Sequence, residues 1–292
     1  CTAPGLERLP LADVLAGLGS DLFDAGTGRG DLILYTPGRL AEKGELDLIA
    51  VMLQFIQYTA SIAAVGSILL MVTLRTKTTD QLTEVHFWHQ AFFGTILLLL
   101  IIPLQLLYLL TNLFDSDWQL IFSFEATQLL AEISTGHSAA IRMASAILLL
   151  VCCWRQWLGG ASVSAIVLVS SYLFTGHTIS FENEANSIPR YVLTALLFVH
   201  LILLHWWIAV IWPLRQMAKQ KNPYTAKISH TFGRQAIIAV LALIIAGGLL
   251  LASLVDWELD LTQPYQTWFL IKLVFVAGIL MIAAMNKFKF TR

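Results

Sequence analysis

Long apolar runs recur along most of this chain, and their length constrains the fold more than any other feature. A helix that crosses the hydrocarbon layer of a bilayer needs about 20 mainly apolar residues. Hydrophobic residues make up 57% of the 292 residues and charged residues only 13%, whereas about 25% charged is usual in soluble domains. Since backbone groups in lipid must bond to each other, these runs predict an all-α integral membrane protein.

We predict a bundle of about seven transmembrane helices in one membrane domain over residues 46–292. The predicted spans are 46–74, 89–110, 137–154, 161–174, 191–212, 236–255 and 267–285. Residues 117–134 are too polar for a span, so they form either an interfacial helix or an outward extension of the third span. Residues 1–45 have no run of spanning length and are predicted to be an extracytoplasmic segment with a short interfacial helix and a loop.

Basic and acidic residues collect at opposite ends of the predicted spans. The basic ends carry Arg75, Lys77, Arg155, Arg215, Lys219, Lys221, Lys227, Arg234, Lys287, Lys289 and Arg292. Cytoplasmic loops are enriched in Lys and Arg, so we place the N-terminus outside, in a periplasm-like space, and the C-terminus in the cytoplasm. The lipid bilayer is therefore the expected partner, and the net charge of −1 gives no reason to expect nucleic acid.

Two Thr-Gly-His motifs, at residues 135–137 and 175–177, lie at the edges of the third and fourth spans. In the predicted orientation His137 and His177 lie at the same outer face, and His200 lies about 13 Å deeper in the membrane. Neutral imidazole is a ligand for copper, zinc and haem iron. We therefore predict a metal site of His137, His177 and His200, the alternative for each being a hydrogen bond to a neighbouring helix.

Three further histidines are candidates for a second metal site. His86 and His89 share one helical face at the predicted cytoplasmic end of the second span. His205 is five residues from His200, which turns it about 140° away on a helix, so it is assigned to packing or to this second site. The chain has no CxxC, no CxxCH and no Walker-type loop, which argues against covalent haem attachment and an ATP-driven pump.

Other side chains are candidates for supporting roles. Arg142 and Lys272 are cations at buried depth, so each is predicted either to reach the interface or to bind an anionic group such as a haem propionate. Trp207 shares a helical face with His200. Cys1 is a candidate lipidation site, because a lipoprotein signal peptidase leaves an N-terminal cysteine that is then acylated.

Several short motifs follow one another in order from the third span onward. They are residues 135–142 with Gly136 and Arg142, the Gly176-His177 pair, FVHLILLHWWIAVIWPL with His200 and Trp207, TFGRQA, TQPYQTWFLIKL with Tyr265 and Lys272, and AAMNKFKF with Asn286. In this order they resemble the copper resistance protein D family of bacterial inner-membrane proteins. The resemblance implies a helical membrane protein that handles copper, often beside a periplasmic copper-binding partner, with His177 and His200 as ligands.

Three functions follow from these observations. The leading hypothesis is a copper-handling protein of the bacterial inner membrane, which binds copper at the outer face and moves it across, and which is not expected to be an enzyme. The second is a b-type haem protein for electron transfer, with two histidines as axial ligands and Arg142 or Lys272 beside a propionate. The third is a metal-free accessory subunit of a larger membrane complex.

Overall fold

The computed structural model describes residues 48–74, 81–114, 116–174 and 189–254, together with several residues between 270 and 281. Its α-helices are α1 (Leu48–Leu74), α2 (Gln81–Leu113), α3 (Trp118–Ile121), α4 (Phe124–Glu132), α5 (Ser134–Trp154), α6 (Leu158–Ser170), α7 (Arg190–Ala209), α8 (Ile211–Lys219) and α9 (Thr225–Leu254). A short 3₁₀ helix, Ser171–Phe174, continues α6. The described part of the chain contains no strand.

Five of the described helical segments are long and apolar enough to cross a membrane. They are Leu48–Leu74, Glu84–Leu113, Ser134–Trp154, Arg190–Lys219 and Thr225–Ser253. A shorter apolar segment, Leu158–Phe174, falls where the fourth span was expected. The prediction of an all-α membrane protein is thereby confirmed. The seventh predicted span and residues 1–45 lie largely outside the described residues, so the total of seven and the inside-outside orientation stay predictions.

The boundaries of two helices differ from the predicted spans. Helix α2 begins at Gln81 and α9 at Thr225, several residues before predicted spans 89–110 and 236–255. Hydropathy detects only the apolar part of a helix, whereas the polar first turns continue it beyond the hydrocarbon layer, where water or headgroups solvate them.

The polar stretch at residues 117–134 forms two short helices that are separate from α5. Asp117 caps α3 by accepting hydrogen bonds from backbone N–H groups, and Ser123 caps α4 in the same way. Ile133 is extended and separates α4 from α5. An N-cap residue starts a new helix, and the extended Ile133 interrupts the helical backbone before α5. This region therefore does not lengthen the third span.

Helix α1 is the centre of the bundle, since it packs against α2, α6 and α7. Glycines permit the closest contacts. A β-carbon at Gly94 of α2 would lie 2.7 Å from the Ala64 nitrogen of α1, and one at Gly66 of α1 would overlap the His205 carbonyl oxygen of α7. Small residues at such crossings let the backbones of membrane helices approach each other. Helix α5 lies on the other side of α6 and α2, and α9 packs on α7.

Candidate functional site

The most polar part of the described core is built around Arg142 on α5. Its Nε donates a hydrogen bond to the Ser171 hydroxyl at 3.1 Å, and its Nη2 donates to the Ser138 hydroxyl at 2.8 Å. Ser138 donates its own proton to the Ser171 carbonyl, and Ser171 donates to the Leu168 carbonyl. Both hydroxyl protons therefore point at backbone oxygens, which leaves the hydroxyl lone pairs directed at the guanidinium.

An aromatic ring completes the surroundings of the guanidinium. The Cζ atom of Arg142 lies 4.0 Å from the centroid of the Tyr172 ring, a distance at which a cation is attracted to the negative face of an aromatic ring. Arg142 is only 7% exposed. In the described part of the chain no carboxylate pairs with it, so a full positive charge is held by hydroxyl oxygens and a ring.

Tyr172 connects this cation to a histidine on another helix. Its ring centroid lies 6.5 Å from that of His205 on α7 and 5.8 Å from that of Tyr58 on α1. Its side chain also interacts with Ser61 of α1. Arg142, Tyr172, His205 and Ser61 therefore form one polar cluster, which we call the core cluster, shared by α1, α5, the 3₁₀ helix and α7.

His205 has a defined tautomer in this cluster. Its Nδ1 lies 2.7 Å from the Leu201 carbonyl oxygen, which can only accept, so Nδ1 carries the proton. Its Nε2 lies 2.9 Å from the Ser61 hydroxyl. In the neutral imidazole Nε2 is the acceptor and Ser61 the donor. His205 was assigned to packing or to a second metal site, and these bonds describe a satisfied core histidine.

His200 faces a different neighbour from His205. It lies beside α9, where a β-carbon placed on Gly247 would lie 3.2 Å from its Cε1 and 3.5 Å from its Nδ1. Nδ1 is buried and has no hydrogen-bond partner among the described residues. Trp207 is half-buried against the core, as expected for a residue on the same side of α7. The glycine thus provides the space that the imidazole occupies.

His137 lies on the exposed side of α5, whereas its neighbours Gly136 and Ser138 are buried. A β-carbon at Gly136 would overlap the Leu130 carbonyl of α4. The glycine of this Thr-Gly-His motif is therefore required for the close approach of α4 to α5. The described helices do not bring His137 and His200 together, because α5 packs on α6 and α2 while α7 packs on α1 and α9.

The remaining predicted site residues are placed as follows. His86 Nε2 lies 3.0 Å from the Gln220 Oε1 atom at the end of α8, and His89 is exposed. His205 lies in the core cluster and not beside either of them. His177, Lys272 and Cys1 lie outside the described residues.

Across the helices that the structure describes, no group of three or more His, Cys, Asp or Glu residues is arranged to hold a metal ion. The two vicinal cysteines, Cys152 and Cys153, are free and buried. A metal site with three or more such ligands must therefore draw some of them from other residue types or from outside the described ranges.

Sequence reasoning missed the partners of Arg142. One of them carries a detectable signal, because Ser138 precedes Arg142 by four residues and shares its helical face. Ser171 and Tyr172 carry no such signal, since their proximity to Arg142 depends on how α6 and the 3₁₀ helix pack on α5.

This fold and site define a multi-pass membrane protein that holds a buried cation, a buried histidine and a partly buried histidine between its helices. The chain belongs to the copper resistance protein D family. Residues 226–292 match the family described as copper resistance protein D, and residues 45–186 match the one described as copper resistance protein D-like, N-terminal domain. No curated protein and no solved structure matches the chain.

The family match bears on function and on the predicted site. It indicates a copper-resistance membrane protein. It begins before α1 and so covers more than the motifs from the third span onward. His137, Arg142 and His177 fall in the first matched stretch and Lys272 in the second. His200 lies between the two stretches, so its place in a site rests on its own surroundings.

Proposed function

We propose that this protein binds copper at the outer face of the bacterial inner membrane, through His137, His177 and His200, and moves it across the membrane. Family membership supports the involvement of copper. The five long apolar helices support a multi-pass protein within which such a path can run. Copper is the cargo here, and imidazole nitrogens suit both of its common oxidation states.

The observation that carries this proposal is the state of His200. Its Nδ1 is buried without a hydrogen-bond partner among the described residues, although buried polar atoms are nearly always paired. His205, on the same helix, has both ring nitrogens engaged. His200 interacts with the backbone of Leu243 on α9, but its Nδ1 lacks a hydrogen bond of good geometry there. A buried ring nitrogen held this loosely is better suited to take a ligand than those of His205, so His200 is the described histidine that fits metal binding best.

Several other roles belong to the same proposal. Lys272 and Arg142 act on anionic groups near the path, and Trp207 borders the His200 side of α7. The inner membrane is the proposed location because the predicted basic loops then face the cytoplasm. A periplasmic copper-binding protein is the proposed donor of the metal, and acylation of Cys1 remains a prediction.

The test is metal analysis of detergent-purified protein, with His137→Ala, His177→Ala and His200→Ala compared with wild type. We expect stoichiometric copper in the wild type and its loss in His200→Ala, because His200 supplies a buried ligand. His230→Ala is a matched control, since His230 is exposed near the start of α9 and should leave the copper content unchanged.

Other outcomes separate the alternatives. Unchanged copper content and unchanged cellular copper accumulation in His177→Ala and His200→Ala would refute the proposal. Iron with a Soret band in place of copper would identify a b-type haem protein. The absence of both metals, with stable co-purification of partner subunits, would identify an accessory subunit.

A further inference from the structure

A cavity of about 140 Å³ lies at one end of the bundle, where the end of α1, the first turns of α2 and the turn between α5 and α6 meet. It is lined by Met71, Glu84, Trp88, Gln156 and Leu158. Glu84 and Trp88 are four residues apart on α2, so they share one face of that helix. The cavity therefore brings side chains from three separate parts of the chain together around one space, which is large enough for an ion with a few water molecules.

The lining of this cavity has an accessible polar part and a buried part. Gln156 is exposed and Glu84 is partly buried. Met71 is 4% exposed and Trp88 is 9% exposed, so both belong to the core of the bundle. A bound group would thus lie between a carboxylate and an amide on one side and a thioether and an indole on the other.

Gln156 is held at the cavity by an unusual backbone conformation. Its φ is 51°, in the left-handed region that glycine most often adopts just after a helix. The N–H groups of Gln156 and Trp157 bond to the carbonyl oxygens of Cys153 and Cys152, which is the pattern that closes such a helix end. A residue with a β-carbon is strained in this conformation. Strain of this kind is concentrated at functional sites, so a side chain kept here indicates a role at the cavity.

The functional groups around the cavity suit a soft monovalent cation. Thioether sulfur, as in Met71, is a soft ligand that selects Cu(I). The Glu84 carboxylate supplies negative charge, and the face of an indole such as that of Trp88 attracts cations. Hard cations such as Mg²⁺ and Ca²⁺ take oxygen ligands and gain nothing from sulfur. An organic ammonium group would use the carboxylate and the ring but not the thioether.

We propose that this cavity is a Cu(I) site formed by Met71, Glu84 and Trp88, with Gln156 at its mouth, at the end of the bundle opposite His137. His137 lies in the first turn of α5 and Gln156 follows its last turn, so about 28 Å along the helix axis separates them. In the predicted orientation this end faces the cytoplasm, a reducing compartment. The choice of copper rests on the proposed function, whereas the cavity itself does not depend on the histidines.

The site differs from the second metal site that the sequence predicts at this end of α2. His86 lies 3.0 Å from the Gln220 Oε1 atom and His89 is exposed. Neither of these two described residues lines the cavity. Helix α2 therefore presents Glu84 and Trp88, and not its histidines, to the space where a cation would bind.

The experiment titrates the detergent-purified protein with Cu(I) under anaerobic conditions, in competition with a chromogenic Cu(I) chelator, and counts the copper bound per chain. X-ray absorption of the loaded protein is the second readout, because it detects sulfur beside copper. We expect a Cu(I) ion in addition to the copper held by the histidines, with a sulfur neighbour supplied by Met71.

Variants locate this ion. Met71→Leu should lose it together with the sulfur signal and keep the histidine-bound copper, and the fold should survive because this exchange conserves volume. Glu84→Gln should weaken binding of this ion by about tenfold or more, since it removes the charge and keeps the shape. Met217→Leu is the matched control. Met217 is buried on α8 and does not line the cavity, so this variant should retain both copper ions.

Gln156→Gly separates a binding role from a structural one. Glycine relieves the left-handed strain, so the unfolding midpoint of the copper-free protein should rise. Binding of this Cu(I) ion should weaken at the same time, because the amide at the mouth is removed. A Gln156 that only closes α5 would give the higher midpoint with unchanged binding. This variant also keeps the test decisive if Met71→Leu does not fold.

Three results would overturn the proposal. These are the absence of sulfur beside copper in the wild type, a copper content and sulfur signal that persist in Met71→Leu, and equal losses in Met71→Leu and Met217→Leu. Loss of copper in His200→Ala but not in Met71→Leu would leave only the histidine site. The reverse pattern would leave only the cavity site, so the two proposals can fail separately.

Discussion

At the scale of single residues, the hydroxyls around Arg142 decide how a guanidinium is tolerated inside a membrane bundle. Ser138 and Ser171 each donate a proton to a backbone carbonyl and accept one from Arg142. Hydrogen bonds to charged groups contribute about 1.5–3 kcal/mol, more than those between neutral groups. These small side chains therefore hold the charge in place without a carboxylate from the part of the chain that the structure describes.

We expect Ser171→Ala to lower the free energy of unfolding by about 1.5–3 kcal/mol, because it leaves the Arg142 Nε without its acceptor. The measurement is unfolding of the purified protein in mixed micelles. Ser162→Ala is the matched control, since the Ser162 hydroxyl bonds only to the Leu158 carbonyl of its own helix. Equal losses in the two variants would contradict the role given to Ser171.

The sequence indicates which single residues are unusual but not their partners. A cation within an apolar run is unusual in any membrane helix, so Arg142 could be selected from the sequence. Its contact with Tyr172 could not, because the two residues lie on different helical segments and meet only through packing. His200 and His205 could be assigned to different faces of α7, which their different neighbours confirm.

At the scale of helices, backbone contact at glycine determines how α1 meets its neighbours. A β-carbon on Gly94 would lie 2.7 Å from the Ala64 nitrogen and 2.9 Å from the Ala60 oxygen, and both atoms are backbone. Backbone atoms cannot rotate away as a side chain can. The contact between α1 and α2 therefore depends on the absence of a side chain at this position.

We expect Gly94→Ala to lower the free energy of unfolding by about 1–3 kcal/mol through overpacking. This loss exceeds the gain of up to about 1 kcal/mol that alanine gives a helix. Gly248→Ala is the control, because no atom lies within 4 Å of an added β-carbon there. Unfolding by detergent titration checks both variants, and a stabilised Gly94→Ala would show that α1 and α2 do not pack this closely.

Hydropathy predicted that the described apolar helices exist, but it placed their ends less accurately. The interfacial stretch shows why. Capping by Asp117 and Ser123 starts two new helices within a few residues, and hydropathy averages over windows longer than either helix. The glycine of a Thr-Gly-His motif can be expected to let a helix or a cofactor approach closely, but the sequence does not show that the neighbour of Gly136 is α4.

At the scale of the whole molecule, the arrangement of the bundle in the membrane follows from its charges. The end of α8, the turn after it and the start of α9 carry Lys219, Lys221 and Lys227, whereas Asp117 and Glu125 lie on or beside α3 and α4. The enrichment of basic residues in cytoplasmic loops predicts that the first group is inside and the second outside.

We expect an impermeant maleimide to label Gln119→Cys on intact spheroplasts and Lys219→Cys only after lysis. Both positions are exposed. Cys1 is replaced by serine for this experiment, and the unaltered chain with that replacement is the background control, since Cys152 and Cys153 are buried. Labelling in the opposite order would invert the predicted topology and move His137 to the cytoplasmic face.

The pairing of His200 with Gly247 also has a consequence for how this family diverges. A methyl group at position 247 would already lie 3.2 Å from the imidazole, so a larger side chain there requires His200 to move out of its present place. Substitutions at the two positions are then expected to accumulate together among relatives. Relatives with glycine at position 247 are expected to have histidine at position 200. Relatives with a bulky residue at position 247 are expected to lack that histidine.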